Sequence, residues 1–525
     1  MRKYLIFIIT VLPFLTFAQI LNPKLDWYRI YDGEGNGVDL TNDIKMDGLN
    51  NIYVGGRSVG LDGTDLLILR YSESGDSLLE IIYNSAPQSW DEAYSMAIDS
   101  GLNIYVVGSA TFEQNTFYAI LHKYNSTGEL IWAKDFYDDI NINSEGLQVT
   151  LNSRDEPIIG YIQDAAKIGK YSSSGDSLWT IEIDDDTSMF KINYLTTDDS
   201  NNIYAAMQQM YSVGGEIYAK AVIIKINDAG EVLWEESFDN FGGKKVIFDN
   251  EGNPIFLAED SRIIKFNPEG DTLWTREYPY IGDIIITMDL IVDSDNNILF
   301  TGYGIGDESW DYFTYKLSSN GEELWMRKFN SDEQLKDYAS SIALDKEDNV
   351  YITGSSHNSI SVGFCYTIKY SADGEFMWKY KFDAPHSKFE NGNGIFVDDS
   401  NNVYVGGEVA DSTNGWNFLA FKIRQDYSTG ITESDNPPEA FSLSQNYPNP
   451  FNPSTVISYQ LPVVSKVTLI VYDLLGREIA ALVNEEKQPG VYEIEFDASN
   501  FSSGIYFYSL KAGDYLETKK MILLR

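Results

Sequence analysis

The chain has 525 residues, with 38 basic against 79 acidic side chains and a formal net charge of −41. A surface this negative repels phosphate backbones and anionic lipid headgroups, which excludes nucleic-acid and membrane-surface binding. The 43% hydrophobic and 14% aromatic content is globular and rich in strand formers, and the length calls for two or more domains.

The N-terminus, MRKYLIFIITVLPFLTFAQ, pairs a charged start (Arg2, Lys3) with an apolar run over 5–17. Thr16 and Ala18 are small residues at positions −3 and −1 of a cut before Gln19, so residues 1–18 are expected to be a secretory signal peptide. The run falls short of the ~20 residues a spanning helix needs, and no transmembrane segment is expected in the mature chain. Cys365 is the sole cysteine and excludes an intrachain disulfide; its strand-like setting, VGFCYTIKY, makes it a small buried group. The histidines, His122, His357 and His386, are scattered, and no zinc spacing occurs.

From Asn51 onward one pattern recurs. NIYVGG at Asn51 is followed by NIYVVG at Asn103, EPIIGY at Glu156, NIYAAM at Asn202, NPIFLA at Asn253, NILFTG at Asn297, NVYITG at Asn349 and NVYVGG at Asn402. The steps are 52, 53, 46, 51, 44, 52 and 53 residues. A second series keeps pace, from LRYSESG to IKYSADG, with basic members Arg70, Lys123, Lys170, Lys225, Lys265, Lys316, Lys369 and Lys422. A third mark is a tryptophan four residues after the glycine of that series: Trp132, Trp179, Trp234, Trp274, Trp325 and Trp378, with Leu79 standing in once. A further apolar run, such as ASSIALD at 339–345, precedes each core. Each repeat thus holds four short strands, labelled A (the SIALD type), B (the NIYV type), C (the lysine strand) and D (the tryptophan strand). Helical periodicity is absent. Four-stranded units repeated eight times read as an all-β, eight-bladed β-propeller over residues 25–424. Trp27, in DWYRIYDG, supplies the D-strand tryptophan that the eighth repeat lacks, so an N-terminal strand is expected to close the last blade. The repeats resemble the bacterial β-propeller repeat family (SBBP-like) with core D-x-x-x-N-I-Y-V-x-G followed by K-Y-x-x-x-G-x-x-x-W.

Two of the A–B segments read DDSNN, at 198–202 and 398–402, which invites a calcium reading. Four residues before each B strand stand Asp47, Asp99, Asn152, Asp198, Asp249, Asp293, Asp345 and Asp398. A DxDxD loop would need a second oxygen ligand two positions on, but that place holds Leu49, Gly101, Arg154, Ser200, Glu251, Asp295, Glu347 and Ser400. A turn in which the acid accepts its own backbone N–H groups explains all eight. Asp293, Asp295 and Asn297 make the best calcium case, and no cofactor is expected. The D-strand tryptophans are expected to pack between blades, and the C-strand lysines to be paired or solvated strand positions.

Residues 425–440, QDYSTGITESDNPPEA, read as a linker. Beyond it come a proline-rich segment and the strand candidates TVISYQL, KVTLIVYD, REIAALV, VYEIEFD, GIYFYSL and TKKMILLR, forming a small Ig-like β-sandwich over 441–525. NYPNPFNPST, VYDLLGREIAALVN, GVYEIEFDAS, SSGIYFYSLKAG and KKMILL resemble, in order, the C-terminal sorting domain (type A) of the type IX secretion system. The resemblance carries the motif residues Asn446, Tyr447, Pro448, Asn449, Pro450, Phe451, Asn452, Pro453, Gly476 and Gly504. It implies a Bacteroidetes-type source, a type IX translocon and a sortase-like processing enzyme as partners, and a secreted or cell-surface protein.

The A–B and C–D connections are tight, whereas B–C and D–A connections vary, and function sits on variable loops over a rigid scaffold. Trp90, Trp310 and Trp416, the tryptophans outside the repeat register, map to that variable face and are the candidate ligand-binding residues. Trp310 and Trp416 both lie six residues before the C-strand lysine, which also fits a shared packing role. No catalytic residue is assigned: nucleophile-elbow, P-loop and histidine-based signatures are missing. The chain reads as a non-catalytic binding or adhesion scaffold for an extracellular glycan or protein. The alternative is a secreted polysaccharide lyase or hydrolase working in the central pocket through paired carboxylates.

Overall fold

The computed structural model describes residues 20–35, 37–112, 116–136, 144–184, 187–239, 242–259, 261–277, 285–305, 309–331, 336–357, 363–385, 387–411, 415–428, 441–443, 446, 449, 451, 453–487, 490–499, 501–513 and 515–524. The chain divides into two compact units, Pro23–Gln425 and Asp426–Arg525 with Met1–Asn22. Every regular element among the described residues is a strand.

In the first unit the described strands form eight sheets built on the A-B-C-D order of the repeats. The seventh, for example, runs Lys336–Leu344, Val350–His357, Gly363–Tyr370 and Phe376–Phe382, all antiparallel. The two-residue strand Ser89–Trp90, not foreseen from the sequence, adds in parallel to the C strand of the first sheet. In the eighth sheet Ser387–Val397, Val403–Asp411 and Trp416–Ser428 are joined by Ile20–Tyr31 from the front of the chain. The last C strand therefore continues to Ser428, past the expected linker start at 425.

The A–B turns account for four of the five residues of DDSNN. Asp198 Oδ1 accepts the N–H groups of Ser200 and Asn202 at 2.9 and 2.8 Å, and Oδ2 accepts Asn202 Nδ2 at 2.8 Å. Asn201 stands at φ +62, and its Oδ1 accepts from Ser153 N and Oγ, at 2.9 and 2.8 Å, in the preceding repeat. Asp155, Asn296 and Asp348 do the same for Ser100, Asn250 and Ser294. The first acid builds its own turn, and the left-handed residue ties that turn to its neighbour.

Lysine and tryptophan recur together because they share one acceptor. Lys265 Nζ and Trp274 Nε1 both donate to Ser319 O, at 3.1 and 3.0 Å, in the C–D turn of the next sheet. Lys123 and Trp132 meet at Ser173 O, Lys225 and Trp234 at Pro268 O, and Lys316 and Trp325 at Ala372 O. Lys422 of the last sheet and Trp27 of its added strand meet at Glu73 O, 3.2 and 3.0 Å away. The eighth repeat has no C–D turn, and there Gln425 Oε1 takes both Lys369 Nζ and Trp378 Nε1, at 3.0 and 3.1 Å. The lysines also neutralise the turn acids, with Lys265–Asp249 at 2.7 Å, Lys316–Asp293 at 2.8 Å and Lys369–Asp345 at 3.2 Å. Where Asn152 replaces the acid, Glu156 supplies the carboxylate, 2.9 Å from Lys170.

Each A strand carries a bulge at a shared place, for instance between Thr41 and Asp43 and between Gly392 and Gly394, and the eighth has a second irregularity between Ser387 and Phe389. The bulge swings an A-strand carbonyl over the B strand, so a Cβ on Gly56 would lie 1.9 Å from Leu40 O. Several bulged side chains reach the next A strand: Asn42 donates to Ala93 O, Asn193 to Gly243 O, Lys244 to Thr287 O and Asn393 to Thr41 O. The last of these joins the eighth sheet to the first.

In the second unit Glu478–Lys487, Ser465–Tyr472, Gly504–Ala512 and Tyr515–Leu523 form one sheet, and Ser442–Leu443, Ser454–Leu461 and Gly490–Asp497 another. Ile457 and Tyr459 of the smaller sheet share a core with Val467, Leu469, Tyr508 and Met521 of the larger.

Candidate functional site

Four of the D–A connections are pinned by buried acids that the repeat pattern does not advertise. Asp39, Asp91, Asp337 and Glu390 each accept the N–H of the residue six positions earlier: Gly33, Ser85, Ser331 and Ala384, at 2.9, 2.6, 2.9 and 3.1 Å. Burial lifts the Glu390 carboxyl to about 7, against the hydrogen bonds from Ser387 and Ala384. A raised acid favours the protonated form in the fold. Its contribution is complete below the ordinary value of 4.5 and is lost as pH rises through about 7. Glu390→Gln should therefore gain stability on the wild type as pH climbs through that window in thermal denaturation. A pH-independent difference between the two would contradict this.

Beside two of these acids, at Tyr338 and Phe389, and at the neighbouring B–C strand ends lies a continuous run of aromatic side chains. Trp310 stacks on Tyr338 with centroids 6.0 Å apart and 24° between planes, and Tyr338 stacks on His357 at 4.9 Å and 17°. His357 meets Phe389 at 5.2 Å, and Phe389 meets Trp416 edge-on at 5.0 Å. Tyr303 packs edge-on against both Trp310 and Tyr338. All six are half-buried and belong to the sixth, seventh and eighth sheets, at strand ends on the variable-loop side. Trp310 and Trp416 open their C strands, and the seventh sheet has Gly363 at that place. A Cβ on Gly363 would come within 2.5 Å of the Phe389 ring, so the missing side chain is what lets Phe389 bridge to Trp416.

The structure thus brings two of the three candidate tryptophans into one run and leaves the third apart. Trp90 is 43% exposed and lies under Arg57, whose guanidinium is 4.4 Å from the ring centroid; its Nε1 donates to Glu92 Oε2 at 3.1 Å. Sequence reasoning missed Tyr303, Tyr338, His357 and Phe389. Their signal lay in superposing the repeats, where they fall at A-strand starts and B-strand ends. A cleft of about 730 Å³ between the sixth and seventh sheets is lined by Lys316, Trp325, Ala372 and Asp373 among others. Lys316 there is held by Asp293 and Ala372 O, so the cleft is the rim of the lysine–tryptophan clamp. Among the described residues no group of three or more His, Cys, Asp or Glu side chains is arranged to hold a metal ion.

In the second unit the proline-rich motif closes an open sheet edge. Asn449 Oδ1 accepts Ile522 N–H at 2.8 Å, Phe451 N–H donates to Ile522 O at 2.9 Å, and Leu524 N–H donates to Phe451 O at 2.9 Å. These contacts cap the strand Tyr515–Leu523, which would otherwise present unpaired backbone. Asn446 is buried, with its N–H on Tyr508 Oη and Nδ2 on Thr455 Oγ1. Pro453 O accepts Ala498 N–H. Gly476 takes φ +77 in a hairpin turn, and Gly504 opens a strand. Tyr447, Pro448, Pro450 and Asn452 lie outside the described residues.

Comparison with known proteins agrees with this division. The model of the secretion system C-terminal sorting domain matches residues 445–524, and that of the beta-propeller repeat matches residues 325–360. No curated protein matches the chain. Solved structures similar to it include BamB from Moraxella catarrhalis (12% identity, 78% of this chain and 100% of that one, TM-score 0.44). The WD40 domain of SCAP from fission yeast is similar at 9% identity over 78% and 98%, TM-score 0.40. A protein of unknown function from Bacteroides caccae is similar at 14% over 53% and 93%, TM-score 0.31. Among its described residues the chain is all-β, and it carries a β-propeller repeat over residues 325–360. More particularly, it carries a type IX C-terminal sorting domain and is a secreted, cell-surface protein.

Proposed function

We propose that residues 25–424 form a closed ring of eight blades and act as a non-catalytic binding module at the cell surface. The linker, expected over 425–440 but entered only after the strand that ends at Ser428, leads to an Ig-like sandwich over 441–525, which the type IX translocon and a sortase-like enzyme handle during export. Closure is supported by the front strand in the last sheet, by the Trp27 and Lys422 bonds to Glu73 O, and by Asn393 reaching Thr41 O.

The observation that carries the binding reading is the half-exposed aromatic run from Tyr303 to Trp416. Tyrosine and tryptophan in such a setting are the usual anchors of a recognition surface. Trp310, Tyr338 and His357 stack their faces on one another, which favours a protein partner over sugar rings that need a free aromatic face. Wild-type chain screened on arrays of surface polysaccharides and extracellular proteins, beside a hydrolase and lyase panel, should bind a protein and turn over no polymer. Glycan-only binding would reverse the ligand preference, and turnover would establish the enzymatic alternative.

The A–B acids need no calcium, because their oxygens are occupied by the protein's own N–H groups. EDTA should leave the melting temperature unchanged; a drop of many degrees would contradict the turn-only reading.

A further inference from the structure

The hairpin between Ser465–Tyr472 and Glu478–Lys487 carries Leu474 and Leu475 at its tip, 68% and 77% exposed. The turn is rigid. Asp473 Oδ1 accepts the N–H groups of Leu475 and Arg477, both at 2.9 Å, Arg477 Nε reaches Asp473 Oδ2 at 2.7 Å, and Gly476 takes the left-handed position. The propeller repeats use the same acid-anchored turn. In the two places that Leu474 and Leu475 fill, they hold pairs such as Ser100–Gly101, Asn250–Glu251 and Lys346–Glu347. Leu49 is the one apolar residue among those eight pairs. The geometry therefore does not require leucine, and two adjacent exposed leucines cost solubility for no gain in the fold.

The register extends the patch. Tyr472, two residues before Leu474, pairs with Phe507, two residues after the 40% exposed Ile505, and Ile505 pairs with Ile522, two residues before the 53% exposed Leu524. One end of this sheet thus presents an apolar surface built on a fixed turn. The unit matches the sorting domain, so the export apparatus is the partner that must grip it.

We propose that the Leu474–Leu475 hairpin tip is the docking element by which the outer-membrane export apparatus captures this chain, seating in an apolar pocket of its receptor subunit. The inference rests on the sorting-domain assignment and goes beyond it by naming the surface. The test is full-length chain expressed in a host with a type IX system, carrying Leu474→Asp with Leu475→Asp. The expected result is at least a tenfold loss from the surface and medium with accumulation in the periplasm, at an unchanged melting temperature. A milder pair, Leu474→Ser with Leu475→Ser, should show the same direction if the aspartates impair folding. Leu516→Asp, 67% exposed and at the opposite end of the sheet, where Leu516 pairs with Lys511, should export normally. Normal export of both tip variants, or equal loss with Leu516→Asp, would overturn the proposal. A chain deleted of residues 441–525 separates the two readings: export without the module would sink the sorting assignment itself.

Discussion

Replacing Trp325 by alanine should destabilise the propeller by about 3–5 kcal/mol, the usual range for truncating a large buried aromatic. The indole is 9% exposed, packs against Tyr370 and donates to Ala372 O of the next sheet at 3.2 Å. Its loss also uncovers Lys316 and Asp293, a pair held at 2.8 Å. The contributions can be separated. Trp325→Phe keeps most of the buried ring and removes the N–H, while Lys316 still satisfies Ala372 O, so about 1 kcal/mol should be lost. Gly374→Ala attacks the same contact from the other side. Gly374 has φ +81, and a Cβ there would lie 2.8 Å from the Trp325 ring. Denaturant midpoints should rank Trp325→Ala well below Trp325→Phe. Equal midpoints would mean that the ring is not the inter-sheet contact described.

Lys369→Met should cost roughly 3–5 kcal/mol, because it strands a buried charge. The side chains of Lys369 and Asp345 are at most 1% exposed and 3.2 Å apart. Asp345 also accepts N–H groups of Glu347 and Asn349 and the Tyr351 hydroxyl, so it cannot turn away to solvent. Adding Asp345→Asn should recover much of the loss, since Asn152 builds the same turn with a neutral side chain. The third repeat makes the charge logic visible: where the turn residue is Asn152, its lysine finds Glu156 instead. A double variant no more stable than the single would show that packing, and not the unpaired charge, sets the cost.

The repeat register, the strand order within each sheet and the role of Trp27 were legible because each is local: a turn residue, an alternating run, a tryptophan at a fixed offset. The strands after residue 453 were legible for the same reason. What the sequence hid is contact between repeats. Lysine and tryptophan recur together, but nothing local says that they share a carbonyl some fifty residues downstream, as Lys265 and Trp274 share Ser319 O. The degenerate FKIRQDY reads as decay of the pattern, yet Gln425 substitutes a side-chain amide for the missing backbone acceptor, which is why the strand runs on into the expected linker. Trp310 and Trp416 stood out as tryptophans off the register. Tyr338, His357 and Phe389, which connect them, did not, because each looks like an ordinary strand residue until three repeats are set side by side.

The most direct test of the binding account is the affinity of one chain variant, Trp310→Ala with Trp416→Ala, for whichever extracellular partner the array identifies. Both side chains are half-buried at the ends of their run, so folding should survive and the melting temperature should stay close to that of the wild type. Kd should rise at least tenfold, the size expected when interface anchors are truncated. Undiminished binding by this variant would contradict the binding reading.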